Sequence, residues 1–193
     1  MRNVVNLGIE TLELGERISE IMHVPVHVEN DVNAAAVGAT EFVEHVDGNA
    51  TVVFLNFGTG LAAGLVRDGQ AEHGYSGCIG EIGHLPVDPN GFACPCGQRG
   101  CLETVASGGA VAKLWPSANP PMPDLIRKAR QGDEHANDVL GKVAHGMGDV
   151  IQIVAQAYDP QRIIIGGGMA KTGNDLIEVI QAELSRRQKV ADS

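Results

Sequence analysis

The chain has 193 residues, 44% of them hydrophobic and 20% charged, which supplies enough apolar material for a core and excludes disorder as the main state. Its 14 Lys and Arg stand against 24 Asp and Glu, a net charge of −10, which argues against a nucleic-acid surface built on clustered positive charge. No run of about 18 apolar residues occurs and Met1-Arg2-Asn3 leads into no signal-peptide core, so the expected setting is cytoplasmic, away from membranes.

In chain order, residues 10–22 predict an amphipathic helix with Leu12, Leu14, Ile18 and Ile21 at its apolar positions. Pro25 ends it, residues 26–28 read as a short strand, and residues 32–43 as an Ala-rich helix. Residues 51–57 form a nearly continuous apolar run, the pattern of a strand buried on both faces. Gly58-Thr59-Gly60 turns the chain and residues 61–66 read as the returning strand, closed at Asp68-Gly69. Residues 73–109 read as irregular, and 116–123 as a Pro-rich connection. Two helical patterns follow, the second over 133–158, then a strand over 162–165, a turn at Gly166-Gly167-Gly168 and a helix over 174–188. Alternating helices and strands with one hairpin make an α/β chain with a mixed sheet.

Glycine is the compositional outlier, 25 residues or about 13% against a usual 7% or so. Thirteen of them fall between Thr51 and Ala110, the stretch that also holds all four cysteines. Cys94, Cys96 and Cys101 share the string CPCGQRGC, and Gly97 and Gly100 let the backbone curl back on itself. Three thiolates so close suit Zn²⁺, which takes four N or S ligands, and His84 is the nearest candidate for the fourth. The alternatives are disulfides, although a Cys94–Cys96 bridge would be badly strained, or buried free thiols. Cys78 is left over and reads as a small core residue.

Asp31 stands at a helix start after a short strand, as an N-cap or as a general base at a strand's C-terminal end, with Asn30 beside it to hold a hydroxyl. Glu81 in GEIGH and Glu103 after Cys101 flank the cysteine loop and are candidates for holding a polyhydroxylated ligand. His84 has a second ring nitrogen for the same purpose. The amides of Gly58-Thr59-Gly60 can hold phosphate oxygens, or the turn can be a plain hairpin; Gly166-Gly167-Gly168 is a second site of this type. Neither G-x-x-x-x-G-K-[ST] nor G-x-G-x-x-G occurs, so a P-loop or Rossmann site is unsupported.

Over about residues 24–173 the assembled strings resemble the ROK family (repressors, open reading frames and sugar kinases), within the actin-like sugar kinase superfamily. VENDVNAAAVG is similar to its catalytic-Asp segment, FGTGLAAGLV to its second phosphate hairpin, GEIGH and CPCGQRGCLE to its two signature strings, and IIIGGG to its adenosine-contacting turn. The resemblance implies an actin-like ATPase (ribonuclease H-like) fold, mostly its C-terminal lobe, with a mixed β-sheet flanked by helices and a zinc-binding loop. It implies a glucokinase-like transfer of the γ-phosphoryl of Mg²⁺-ATP to a hexose, commonly glucose at its 6-hydroxyl. Asp31 would be the base. Asn30, Glu81, His84 and Glu103 would hold the sugar, and His84, Cys94, Cys96 and Cys101 a structural zinc. Gly58, Thr59, Gly60, Gly166 and Gly167 would face ATP.

Two departures stand out. GTGLAAG has alanine at positions 62 and 63, where the family's kinases usually carry another glycine, and a β-carbon there would crowd a phosphate. The family's opening Asp-x-Gly-Gly-Thr hairpin does not occur, so the expectation is a partial kinase domain lacking the N-terminal lobe. Residues 31–115 would carry base, hairpin and zinc loop, and residues 124–193 the adenosine contacts. Two other outcomes fit the resemblance: the effector part of a sugar-sensing repressor, and a non-catalytic carbohydrate-binding remnant. Family members are often homo-oligomers.

Overall fold

The computed structural model describes residues 2–4, 9–44 and 46–191. They fall into two compact units, residues 1–31 and 32–193. In the first, β1 (Arg2–Val4) and β2 (Ile9–Thr11) pair antiparallel, with Val4 opposite Ile9, and α1 (Leu14–Met22) follows. The helix expected over 10–22 therefore starts late, because β-branched Ile9 and Thr11 take a strand partner. It stops at His23, which adopts a left-handed φ of 54° and gives its N–H to the Ser19 carbonyl. Residues 26–28, expected as a strand, pair with no strand among the described residues.

The second unit is built on a four-stranded sheet in the order β5-β4-β3-β6: β3 (Thr51–Phe57), β4 (Leu61–Arg67), β5 (Gln70–Ala71) and β6 (Arg162–Gly166). β3 runs antiparallel to β4 and parallel to β6, so the sheet is mixed. Val53, Leu55 and Phe57 of β3, with Leu61, Ala63 and Leu65 of β4, point into the main core. Covering that face are α3 (Glu103–Ala106), α4 (Gly108–Leu114), α5 (Pro121–Arg130), α6 (Glu134–Tyr158) and α7 (Asn174–Ala191). On the other face lies α2 (Asp31–Thr40). Its Ala36 comes so near β4 that a β-carbon on Gly64 would sit 2.5 Å from the alanine methyl. Cover on both faces is why β3 reads as a nearly continuous apolar run.

α6 begins at Asp133, whose side chain accepts the Ala136 N–H, and ends at Asp159 in a left-handed conformation. The stretch expected to be irregular holds a 3₁₀ turn (Ile82–His84), all of α3 and the start of α4, which Ser107 caps by accepting the Ala110 N–H. Three-residue and one-turn helices are too short for a periodic pattern to register. α5 likewise starts inside the Pro-rich stretch, with Pro121 at its first position, where a missing N–H costs nothing. Among the described residues no helix is long and apolar enough to cross a membrane.

An ion network joins α6 to α7. Glu183 is buried and accepts hydrogen bonds from Arg186 and from Arg187, which also reaches Asp149. Arg186, then Arg187, hold the Glu183 carboxyl down at about 2, against an ordinary value of 4.5. A depressed carboxylate stabilises the fold fully above its unfolded value and loses that contribution as pH falls through the folded one. Acid titration should therefore cost the wild type up to about 3 kcal/mol more than Glu183→Gln between pH 5 and pH 2, read from denaturant midpoints. Parallel acid profiles would remove the network from the stability account.

Candidate functional site

Four ligand atoms converge on the loop between the 3₁₀ turn and α3. His84, Cys94, Cys96 and Cys101 each offer one, and all four lie within 4.8 Å of one another. The Cys96 and Cys101 sulfurs are 3.7 Å apart, and His84 Nδ1 is 3.6 Å from the Cys94 sulfur. A zinc tetrahedron with Zn–S of about 2.3 Å and Zn–N of about 2.05 Å has S–S edges of about 3.8 Å and S–N edges of about 3.6 Å. The donor set and its spacing thus fit zinc, with Nδ1 as the ring nitrogen used and Nε2 left over.

The backbone explains the convergence. The Leu102 N–H bonds the Leu85 carbonyl and the Val87 N–H bonds the Gly100 carbonyl, which lays the His84 segment beside Cys101. Ala93 and Arg99 bridge across a tight loop in which Cys94 donates its N–H to the Gln98 carbonyl at 2.8 Å. Gly97 in this loop has a φ of 92°, in the left-handed region open to glycine. The main-chain N–H of Gln98, then its side-chain amide, lower the exposed Cys96 thiol to about 6. Burial pushes the Cys101 thiol up to about 12. Cys78 is exposed, its sulfur facing the Ser76 carbonyl; it is no core residue, because Gly77 and the loop around it stand off the sheet.

The GEIGH segment is seated on β4. Ala63 gives its N–H to the Gly80 carbonyl at 2.8 Å, and Ile82 enters the main core. Glu81 is exposed and His84 half-buried. Glu103, the first residue of α3, accepts the Leu61 N–H at 3.0 Å through Oε2. One carboxylate oxygen of Glu103 therefore holds the hairpin, a structural duty the sequence did not reveal. The metal quartet, Glu81 and the Gly58-Thr59-Gly60 hairpin all attach to the same end of β4 and α3.

The two glycine turns meet. Asn56 of β3 stands opposite Gly166 of β6, and a β-carbon on Gly167 would fall 2.7 Å from the Gly58 nitrogen. Below them the Gly108 and Gly109 N–H groups bond the Gly58 and Thr59 carbonyls, at 2.7 and 3.1 Å. A cavity of about 350 Å³ opens beside the pair, walled by Thr59, Gly109, Pro121, Met122, Gly168 and Met169. A second, of about 590 Å³, lies on the Gly60 side, against Glu103, Phe92, Pro95 and Lys113. Gly108, Gly109 and Met169 were missed in the sequence, although Ser107-Gly108-Gly109 carries a cap signal. Ala63 is buried in the core, and Ala62 sits on the strand opposite Asn56. Asn30 and Asp31 close the first unit, Asp31 as the first residue of α2 and Asn30 with its N–H on the Glu29 carboxylate at 2.8 Å.

The sequence model of the ROK family matches residues 1–190. The chain belongs to the ROK family. A glucokinase of Halalkalibacterium halodurans is 34% identical over 197 residues, an alignment that takes in 93% of this chain and 59% of the relative. The ROK glucokinase of Streptomyces griseus, solved with glucose and AMPPNP, superposes with a TM-score of 0.74 at 30% identity, over 93% of this chain and 64% of that one. The DNA-binding transcriptional repressor Mlc of Escherichia coli is 29% identical, over 93% of this chain and 47% of its own length. The chain thus spans about three fifths of the kinases it matches. Its mixed sheet and flanking helices are the actin-like ATPase fold of the ROK family, and the His-Cys₃ cluster agrees with that family's zinc motif.

Proposed function

We propose that this ROK chain carries the sugar site and part of the nucleotide site of an ATP-dependent hexose kinase, glucokinase-like in its reaction. The observation that carries the reading is the junction at β4: one carboxylate, Glu103, joins the glycine hairpin to the metal loop, as a site that brings a phosphate beside a sugar requires. Similarity to a glucokinase solved with glucose and AMPPNP supports it.

In this reading Asn30, Glu81, Glu103 and His84 Nε2 bind the sugar hydroxyls, and Asp31 takes the proton from the attacking one. The amides of Gly58, Thr59 and Gly60, with Gly166 and Gly167, hold the phosphates and ribose of ATP, whose Mg²⁺ neutralises phosphate charge. His84, Cys94, Cys96 and Cys101 hold a zinc that serves structure and takes no part in the transfer. Catalysis of this kind rests on positioning and electrostatics, with the base adding about 10²–10⁴-fold.

Asp31→Asn should therefore lower the kcat for glucose phosphorylation by that factor while glucose affinity, measured by calorimetry, stays within about threefold. An unchanged kcat removes Asp31 from the chemistry. The similarity to Mlc gives a second reading, a sugar-sensing effector part. Glucose binding without turnover on any hexose, in the presence of ATP and Mg²⁺, would favour it.

A further inference from the structure

We propose that Gln98 is a positioning residue, tying the metal loop to the segment that presents His84 and Glu81; the inference rests on the zinc and sugar roles proposed above. Its side-chain Nε2 donates to the His84 carbonyl at 2.9 Å and to the Cys96 sulfur at 3.5 Å. Both neighbours are acceptors, so the amide orientation follows from chemistry: the nitrogen must face them and the oxygen must face away. The two acceptors belong to distant stretches of chain, and one other side chain reaches both among the described residues, that of Cys101, whose sulfur lies 3.5 Å from the His84 carbonyl and 3.7 Å from the Cys96 sulfur.

Two further features make the bridge more than a surface contact. The main chain of Gln98 serves the same cluster, since its carbonyl accepts the Cys94 N–H at 2.8 Å. The His84 carbonyl has one other side-chain donor, the Cys101 sulfur at 3.5 Å. A sulfur that ligates a metal has no proton to give. With zinc in place, Gln98 is left as the side-chain donor to that carbonyl, and its second proton meets the charge of a metal-bound thiolate. Three thiolates on Zn²⁺ leave a net negative centre, which N–H donors stabilise. Gln98 thereby sets the orientation of His84, and through the same short turn that of Glu81.

Gln98→Glu tests this with little change in shape. It replaces the donating NH₂ with an acceptor facing two acceptors. With the zinc-loaded full chain, transfer of zinc to a chromogenic chelator should be about 10–100-fold faster for Gln98→Glu and Gln98→Ala than for the wild type, the glutamate being the worse. Glucose affinity should fall in the same order while ATP affinity holds. Wild-type zinc release and glucose affinity in Gln98→Glu would overturn the proposal, since the side chain would then act by packing alone. Equal loss of ATP and glucose affinity would also overturn it, as a sign of general unfolding. A wild-type chain that takes up no zinc would overturn the metal reading and this proposal together; one that loads zinc but binds no glucose would overturn the sugar reading, and this proposal with it.

Discussion

Zinc should bind the chain one to one, and its removal should unfold the loop from Val87 to Leu102 before the sheet responds. That loop has little else to hold it. Phe92 is 53% exposed and Val87 44%, side-chain burial is confined to Cys94 and to Cys101 and Leu102 at its end, and its main-chain bonds, such as Cys94 to Gln98 and Gly100 to Phe92, are scattered rungs that form no regular ladder. Metal binding in small zinc modules supplies about 10–16 kcal/mol of apparent free energy at neutral pH, far more than a few scattered rungs can. Uptake should also release protons, because Cys101 is protonated at neutral pH with its thiol at about 12 and a zinc ligand must be a thiolate. Calorimetry in buffers of different ionisation enthalpy measures that release.

Hydrogen exchange reads the structural part. After chelation the amides of Cys94, Gly100 and Leu102, bonded across the loop, should lose protection, while Val53 and Leu55 in β3 keep theirs. Cys101→Ser should reproduce the chelated pattern, because a buried serine supplies neither the metal ligand nor an apolar contact. A loop equally protected with and without metal would show that the rungs suffice and that the four ligand atoms converge for another reason.

How far the site could be read from sequence depends on the range of the forces involved. The bounds of β3 were legible because cover on both faces leaves a nearly continuous apolar run, and α6 because its core face repeats over many turns between Asp133 and Asp159. Cys94, Cys96 and Cys101 were legible because a metal imposes short spacings. His84 was a reasonable fourth ligand, and what brings it into reach is the pairing of Leu85 with Leu102 and of Val87 with Gly100. Contacts of that kind are main chain to main chain and leave no residue-type signature. The same holds for the structural duty of Glu103, which binds a backbone N–H, and for Gln98, whose side chain meets a backbone carbonyl. The strand expected over 26–28 failed for the converse reason. β-Branched residues indicate a pleated surface, but a strand exists only where a partner supplies the ladder.

If the proposed zinc and sugar roles hold, Gly83→Ala should weaken both zinc and sugar binding, although Gly83 carries no functional group. A β-carbon there would lie 2.1 Å from the Leu61 carbonyl oxygen and 3.1 Å from its carbon. The clash is with backbone, so no rotamer relieves it. Either β4 bends at the mouth of the glycine hairpin or the 3₁₀ turn lifts away, taking buried Ile82 out of the core and His84 out of line with the sulfurs. Metal distances tolerate about 0.2 Å, and a catalytic group displaced by about 1 Å can cost about 10²-fold. The expected result is a loss of about 2–4 kcal/mol in denaturant unfolding and about 10²-fold weaker glucose binding, with zinc released faster. Gly141→Ala is the control. It lies in α6 with nothing within 4 Å of its β-carbon, and the gain in helix propensity should stabilise the chain by up to about 1 kcal/mol and leave zinc and glucose unaffected. If both substitutions behave alike, the contact between the 3₁₀ turn and β4 does not govern the site; if they diverge, the position of His84 is set by a glycine that touches neither metal nor sugar.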